Sequence, residues 1–323
     1  MPLHVSATGK NIVLKAKVSS STTSKKDIET KFYNKAKADL DNSKYQVYRI
    51  TERIIRANKL DDNAWRIAFN IDPTSLNASS SAVNLIKIDS GLFDSLNGDI
   101  SALAFIIGHE ISHSRLEHLK QNNYQLIEIN NCITTNKNRI EQIDVELEAI
   151  YRKKKQLTYA ASSSGLGGAI YCAFAQSNLN KQIESLNLEL NGITTSTANS
   201  KQNYSNLLIQ QEYEADRVAM ELLIRAGFDP QGAIRTFKLL DKVPTIDEVN
   251  STHPPIQERL SYIESFLSGL NIESITAEGK TNIKNSSYLN YDKSIDNQSL
   301  VIKSRLTSNN NDVNKSFDKL FDN

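Results

Sequence analysis

Two long stretches of the sequence repeat apolar residues at alternating steps of three and four, and this pattern constrains the fold more than any other feature. Such spacing places the apolar side chains along one seam of an α-helix, as in a coiled coil. The seam residues are Leu126, Ile129, Ile133, Ile140, Ile143, Leu147, Ile150 and Leu157 in the first stretch, and Leu179, Ile183, Leu186, Leu190, Ile193, Tyr204 and Leu207 in the second.

The two seams match each other when the chain is folded back on itself. Folding about residue 168, in a short glycine-containing link, sets the polar seam residue Asn136 opposite Ser200. We therefore predict an antiparallel coiled-coil hairpin over residues 124–208, with arms of about 30 residues or ~45 Å. Its apolar tip, Gly165 to Ala175, is expected to contact a protein partner, a second copy of the chain or a membrane surface.

The rest of the sequence predicts a mainly α (α+β) fold. Apolar residues alternate at 64–72 and 82–89, which indicates a small sheet. Helical spacing predicts further helices at 27–60, 99–118, 211–226, 230–241 and 254–268. We expect an N-terminal strand and linker over 1–26 and a main domain over 27–268 that contains the hairpin as an insertion. A polar, largely flexible tail with a strand-like patch at Leu300–Ile302 would follow over 269–323.

Composition narrows the possible functions. The formal net charge is +1, so the composition as a whole gives no reason to expect nucleic acid or an anionic membrane as the main partner. Cys132 and Cys172 lack the spacing of metal ligands and form no disulfide framework. Neither a signal peptide nor a stretch of about 20 apolar residues is visible. We therefore expect a cytoplasmic protein by default, with an exported form whose signal has been removed as the alternative.

The chemistry is concentrated in the segment Gly108-His109-Glu110-Ile111-Ser112-His113. On a helix, His109 and His113 lie one turn apart on the same face, where two imidazoles can bind a single Zn²⁺ ion. Glu110 would project beside the metal as the general base that accepts a proton from water. The surrounding helix is strongly apolar, and burying these polar groups without a metal would be costly.

A third protein ligand is needed, and two patterns could supply it. The pattern HExxHxxGxxH is excluded, because Leu116 and Leu119 occupy its glycine and third-histidine positions. His118 is nine residues from the first histidine, about 900° of helix, which predicts a surface or packing residue on the opposite face. The other pattern is a glutamate with an aspartate one turn later, and Glu212–Asp216 is the only Glu-x-x-x-Asp pair in the chain.

The predicted hairpin also brings this pair to the metal helix, because one arm starts near the metal helix and the other returns to the pair. Glu212 is therefore predicted as the third ligand. Asp216 is predicted to orient a ligand imidazole from behind. Glu214, between them, is expected to be solvated.

These motifs, in this order, resemble the HtpX-like zinc metallopeptidases of peptidase family M48, a gluzincin-type group that includes the CAAX prenyl proteases and the Oma-type mitochondrial enzymes. The matching segments are Ser90-Gly91-Leu92, Gly108-His109-Glu110-x-x-His113, Glu212-Tyr213-Glu214-Ala215-Asp216-Arg217, Gly227-Phe228-Asp229-Pro230 and Ser251-Thr252-His253-Pro254-Pro255-x-x-x-Arg259. The resemblance spans roughly 45–265. It implies a gluzincin-type metalloprotease core with one zinc ion, Glu212 as third ligand and His253 beside the metal.

Three departures from the family pattern bear on function. The segment between the metal helix and Glu212 is longer than usual and resembles a coiled coil. The loop over 77–81 lacks the aromatic residue usual in the family, and the membrane helices of many relatives are missing. We therefore expect the rim of the substrate site to differ from that of the relatives, and the missing helices argue against a membrane-embedded substrate path.

We therefore expect a zinc-dependent endopeptidase that cleaves a protein or peptide substrate. Glu110 would act as general base, and His253 would donate a hydrogen bond to the developing oxyanion. The strand at 82–88, if it lies at an edge, would hold an extended substrate. The alternative is a catalytically silent scaffold or chaperone-like protein that binds a partner or a membrane surface through its hairpin.

Overall fold

In the computed structural model, the described residues are 24–81, 84–242 and 253–305. The chain divides into two compact units, residues 1–45 and 46–323. In the first unit, helix α1 (Lys25–Asp39) begins at a capping box, in which Ser24 and Asp27 each accept the other's backbone N–H. The strand and linker predicted for residues 1–26 lie almost wholly outside the described residues, and Lys25 already belongs to α1.

Helix α2 (Asn42–Ala57) leads into the second unit, which contains a five-stranded sheet. Its strands are β1 (Trp65–Asn70), β2 (Ala78–Ser81), β3 (Leu85–Asp89), β4 (Tyr291–Lys293) and β5 (Ser299–Ile302). The order is β2-β3-β1-β5-β4; β1 and β3 are parallel, and the other neighbours are antiparallel. The strands predicted at 64–72 and 82–89 correspond to β1 and β3.

The prediction that strand 82–88 could be an edge is wrong. β3 lies between β1 and β2, and β2 is the end strand of the sheet among the described residues. β2 comes from the serine-rich segment 77–81, which the sequence predicts to be a loop. Its register with β3, from Ala78 opposite Ile88 to Ser81 opposite Leu85, shows that backbone pairing outweighs the weak strand preference of serine.

Among the described residues, five more helices build the core of the second unit beside the sheet and the hairpin. They are α3 (Ser90–Ser95), α4 (Ile100–Arg115), α7 (Gln231–Leu240), α8 (Ile256–Ser268) and α9 (Ile272–Asn285). Helix α4 is largely buried and packs against α7, where Phe105 and Phe237 meet edge to face with ring centres 5.5 Å apart. The predicted mainly α, α+β fold class is confirmed.

The insertion is formed by two very long helices, α5 (His118–Ser163) and α6 (Leu166–Arg225), which pair in antiparallel directions. At 1.5 Å per residue, α6 is about 90 Å long. Its last turns include the helix predicted at 211–226 and end where Gly227 adopts a positive φ of 78°, a conformation that glycine reaches without strain. None of the described helices is both long and apolar enough to cross a membrane.

The register of the hairpin differs from the predicted one by about one helical turn. Asn136 donates a hydrogen bond of 2.8 Å to the hydroxyl of Thr197, instead of lying opposite Ser200. The turn lies at Ser164 and Gly165, whereas Gly167 and Gly168 are already helical. The fold-back point is therefore closer to the N-terminus than the centre of the glycine-rich segment.

The flexible tail predicted from residue 269 is wrong for residues 272–302, which form α9, β4 and β5; the predicted patch at Leu300–Ile302 is part of β5. The asparagine and serine content suggested disorder, but side-chain hydrogen bonds tie this segment to α2. Asn282 donates to the carbonyl of Ala57 at 2.8 Å, and Tyr48 donates to the carbonyl of Leu289 at 2.7 Å. The segment thus contributes two strands to the sheet and is hydrogen-bonded to α2.

Candidate metal centre

The two motif histidines lie in α4, and its sequence explains why this helix is buried. Asp99 caps the N-terminus by accepting the backbone N–H groups of Ser101 and Ala102. The apolar turns that follow are buried in the core. His109 and His113 come next, one turn apart, and their Nε2 atoms are 3.0 Å from each other.

Glu212, near the end of α6, brings a third ligand atom to the same point. Its Oε1 lies 3.3 Å from His113 Nε2, and its Oε2 lies 3.6 Å from His109 Nε2. The three side chains can each offer one atom within 4.8 Å of the others. Ligands about 2.0–2.1 Å from a tetrahedral zinc ion would be separated by about 3.3 Å. The observed separations of 3.0–3.6 Å therefore fit a zinc ion.

The outer nitrogen of His109 faces a buried carboxylate. His109 Nδ1 lies 3.0 Å from Asp216 Oδ1, which leaves Nε2 directed at the centre of the cluster. Burial works to lower the pKa of His109, but the Asp216 carboxylate outweighs burial and raises that pKa. The same negative charge would favour a metal cation at the opposite ring nitrogen.

Asp216 is in turn held by Arg259 from α8, for which the sequence suggested no role beyond its place in a motif. Arg259 Nε donates to Asp216 Oδ2 at 2.7 Å, and Nη2 donates to Oδ1 at 2.6 Å. Burial works to raise the pKa of Asp216, but the positive charges of Arg259 and His109 hold it below its usual value. Asp216 is therefore a carboxylate fixed from two sides.

His118 lies beside His113 of the cluster, so the prediction that it faces the opposite side is wrong. The helix does not continue past Arg115: Glu117 adopts a positive φ of 55°, and α5 begins at His118 in a new direction. His118 is 2% exposed, and its Nδ1 lies 2.9 Å from His113 Nδ1. The 900° estimate assumed an unbroken helix.

The surroundings of His118 bear on its protonation state and on the hydrogen bond that it can form with His113. Burial, followed by the charge of His113, lowers the pKa of His118 to about 4, so its imidazole is neutral at pH 7. Its Nε2 lies 3.6 Å from Glu214 Oε2. With its Nδ1 unprotonated, His118 can accept a hydrogen bond from the Nδ1–H of a neutral His113, an arrangement that would leave the Nε2 lone pair of His113 for a metal.

Glu212 is contacted by two more cationic or donor groups. His253 Nδ1 lies 2.9 Å from Glu212 Oε2, and Arg259 Nη1 lies 3.2 Å from the same oxygen. Burial works to raise the pKa of Glu212, but hydrogen bonds with His113 and His253 hold it far below its usual value. The His253 side chain is 59% exposed, so it stands at the open side of the cluster.

The two remaining glutamates of the motifs differ in burial. Glu110, between His109 and His113 in the sequence, is only 7% exposed. Glu214 is about half exposed, as expected for a solvated residue, although it also approaches His118.

A groove of about 470 Å³ is lined by residues of the end strand β2, of α4 and of the base of the hairpin. Ser80, Ser81 and Asn84 contribute polar lining, and His113 of the cluster also lines it. The first turns of α5 contribute further lining residues, including the large side chains of Tyr124 and Ile127. These two side chains are 61% and 58% exposed.

Comparison with known proteins finds a matching family model and several similar proteins. The family model described as Peptidase family M48 matches residues 41–267. The chain is similar to the beta-barrel assembly-enhancing protease of Escherichia coli (strain K12) and to that of Shigella flexneri, with 28% identity over 186 residues in each case. That alignment covers 56% of this chain and 35% of each relative, so the chain spans about a third of the curated relatives it matches. No solved structure gives a significant match.

Proposed function

Because the chain belongs to peptidase family M48, we propose that it is a zinc-dependent endopeptidase. One observation carries the proposal: two imidazole nitrogens and a carboxylate, from His109, His113 and Glu212, converge with the separations expected of ligands around one tetrahedral ion. Both histidines have a partner at their outer nitrogen, and such outer partners are typical of ligand histidines.

In this proposal, His109, His113 and Glu212 hold one Zn²⁺ ion per chain. A bound zinc ion would polarise the carbonyl of the scissile peptide bond and lower the pKa of a water molecule. Asp216 and His118 keep the two imidazoles in the tautomer that presents Nε2 to the ion. Arg259 keeps Asp216 and Glu212 ionised.

Glu110 is proposed as the general acid and base. A carboxylate next to the first ligand histidine accepts the proton of the attacking water and later donates it to the leaving amine. His253, which stands at the open side of the cluster, would donate a hydrogen bond to the oxyanion that develops on the substrate. Its contact with Glu212 keeps it close to that position.

The substrate is proposed to lie in the groove as an extended peptide. An end strand leaves one row of backbone groups available for a further strand, and β2 runs beside α4. Main-chain pairing with β2 would bind a protein or peptide without regard to its sequence. Tyr124 and Ile127 would then select for a large apolar side chain on the substrate.

A scaffold or chaperone-like role is the second candidate, because the relatives bear a name that combines protease with assembly-enhancing and the hairpin exposes an apolar tip. In this alternative the metal would be structural or absent. The two candidates predict different results for a Glu110 variant that keeps the metal ligands. Such a variant loses peptide cleavage if the protein is a protease, whereas a scaffold has no cleavage to lose.

The test is metal analysis combined with peptide cleavage by wild type and Glu110→Gln. We expect one zinc ion per chain in both proteins, with cleavage reduced at least about 10²–10⁴-fold in the variant. Glu128→Gln, an exposed change on α5, is the matched control and should cleave like wild type. Cleavage by Glu110→Gln at the wild-type rate would refute the assignment of the base, and a zinc-free, inactive wild type would favour the scaffold.

A further inference from the structure

The tip segment, residues 156–180, differs from the rest of the hairpin because it contains no charged residue. It nevertheless exposes large apolar and aromatic side chains. Their exposed fractions range from 64% to 82%, and the residues are Tyr159, Leu166, Ile170, Tyr171 and Phe174. Leu166, Ile170 and Phe174 are spaced four residues apart, so they form one stripe along α6. An exposed apolar patch of this kind marks an interaction surface.

Five basic residues flank the tip segment on the side of the hairpin base, and we call them the basic collar. Its residues are Arg152, Lys153, Lys154, Lys155 and Lys181. The segment 149–183, which includes the collar and the tip, has no aspartate or glutamate. Lys154 also donates to Asn180 on the other arm at 2.6 Å, which joins the two sides of the collar.

The spacing between collar and tip matches the depth of a membrane interface. Nine residues separate Lys155 from Ser164 at the turn, which is about 14 Å of helix. The headgroup layer of one leaflet is about 5–7 Å thick, and amphipathic helices bury their apolar face about 5–10 Å deep. An inserted tip would therefore reach the acyl chains while the collar remains at the level of the phosphates.

We propose that the tip segment inserts into the surface of an anionic lipid bilayer, with the basic collar bound to its phosphate groups. The tyrosines at the tip suit the interface, since their rings are apolar and their hydroxyls polar. The apolar stripe alone would suit any apolar partner, but the collar selects a negatively charged surface. A second copy that docked tip to tip would offer no acidic residue to the collar, because the segment 149–183 contains none.

The arm separates this surface from the proposed catalytic site. From Gly165 to Glu212, α6 runs for 47 residues, or about 70 Å. Membrane binding and catalysis can therefore be measured independently. Failure of one proposal would leave the other intact.

The test is sedimentation of the full-length protein with vesicles of phosphatidylcholine, alone or mixed with phosphatidylglycerol. We expect binding only to the mixed vesicles, and weaker binding as salt is added. Each basic residue near an anionic surface contributes about fivefold in affinity, so Arg152→Gln, Lys153→Gln and Lys155→Gln together should weaken binding about 100-fold. The matched control removes three exposed lysines far from the tip, Lys137, Lys201 and Lys238, and should bind like wild type.

The apolar stripe is tested by Leu166→Gln, Ile170→Gln and Phe174→Gln in one protein. These side chains are exposed, so the fold should survive, and circular dichroism and thermal unfolding will verify it. We expect binding to the mixed vesicles to be lost. Val145→Gln with Leu188→Gln, which changes two exposed apolar residues midway along the arms, is the control and should keep it.

Three results would overturn the proposal. Wild type could fail to bind the mixed vesicles, or it could bind them no better than the stripe variant does. Wild type could also bind neutral and anionic vesicles equally well. A dimer in analytical ultracentrifugation that dissociates in the stripe variant, without vesicle binding, would identify a second copy as the occupant instead. Glu110→Gln should bind vesicles like wild type, which keeps this outcome separate from the proposed catalysis.

Discussion

Arg259 holds Asp216 through two parallel hydrogen bonds of 2.6 and 2.7 Å, and both side chains are buried. The arginine comes from α8, and the aspartate from the last turns of α6. The same arginine also contacts Glu212. A single guanidinium therefore contacts both Asp216, the partner of the proposed ligand His109, and Glu212, which is itself a proposed ligand. Buried arrangements of this kind depend on each charge being compensated.

Arg259→Ala should therefore damage both stability and metal affinity. It would leave the carboxylates of Asp216 and Glu212 without their main buried counter-charge, which costs about 3–5 kcal/mol in the free energy of unfolding. Zinc affinity should fall about 10–100-fold, because Asp216 no longer fixes His109. The measurements are denaturant unfolding of the metal-free protein and zinc titration.

Two further variants make this prediction specific. Arg259→Lys keeps the charge but not the two-point geometry, and should fall between wild type and Arg259→Ala. Arg217→Ala removes a partly exposed arginine next to Asp216 in the sequence and should be nearly neutral. Equal effects of Arg217→Ala and Arg259→Ala would contradict the role given to Arg259.

His118→Leu should weaken zinc binding about 10–100-fold, because it removes the acceptor for the Nδ1–H of His113. Glu214→Gln should have a smaller effect, since Glu214 is half exposed and 3.6 Å from His118. Zinc titration and the KM and kcat for a peptide would be measured on both. If His118→Leu binds zinc like wild type, His118 is only a packing residue.

The parts of the site that depend on local geometry could be predicted from the sequence. The i, i+4 spacing brings His109 and His113 together in any helix, and these residues lie as expected. Glu212 and Asp216 are remote in sequence, but they form a unique pair, and the hairpin pattern showed how the chain returns. The register of the two arms depends on which residue the side chain of Asn136 contacts. The predicted register differs from the observed one by about one helical turn.

The features that the sequence did not reveal depend on single backbone angles or on long-range partners. The break that turns His118 inward depends on the positive φ of Glu117, and glutamate is not a residue that favours this conformation. Arg259 was visible in a motif, but nothing indicated that Asp216 would be its partner. The polar composition of residues 272–302 concealed a helix and two strands, because composition does not show that Asn282 would bind the backbone of Ala57.

Glu212→Ala should lose stoichiometric zinc, whereas Glu214→Ala on the same helix should retain it. Of these two glutamates, Glu212 places a carboxylate oxygen within the cluster, whereas Glu214 approaches His118 and is half exposed. Metal analysis after dialysis compares the two proteins directly. Retention of one zinc ion per chain by Glu212→Ala would mean that another residue supplies the third ligand.

Gly279→Ala should destabilise the protein, which tests whether α9 belongs to the folded core. A Cβ atom at this position would overlap the carbonyl oxygen of Arg225, so the backbone of α6 or α9 must shift. We expect a loss at or above the upper end of the ~1–3 kcal/mol typical of overpacking. Gly192→Ala is the control: its Cβ meets nothing within 4 Å, and alanine in a helix should stabilise by up to about 1 kcal/mol. Two small changes of the same sign would indicate that α9 is loosely attached.

Tyr124→Ala and Ile127→Ala should raise the KM for peptides with a large apolar side chain near the cleaved bond. Both residues line the groove from the hairpin side, and burying such a side chain on binding contributes about 1.5–3 kcal/mol, or roughly tenfold or more in KM. Zinc content and kcat should change little, because neither residue contacts the ligand cluster. Tyr151→Ala, a half-exposed tyrosine farther along α5, should leave KM unchanged. Peptides with serine in place of the apolar residue should be cleaved equally by all four proteins. The same KM for Tyr124→Ala and Tyr151→Ala with the apolar peptide would show that the hairpin base takes no part in substrate selection.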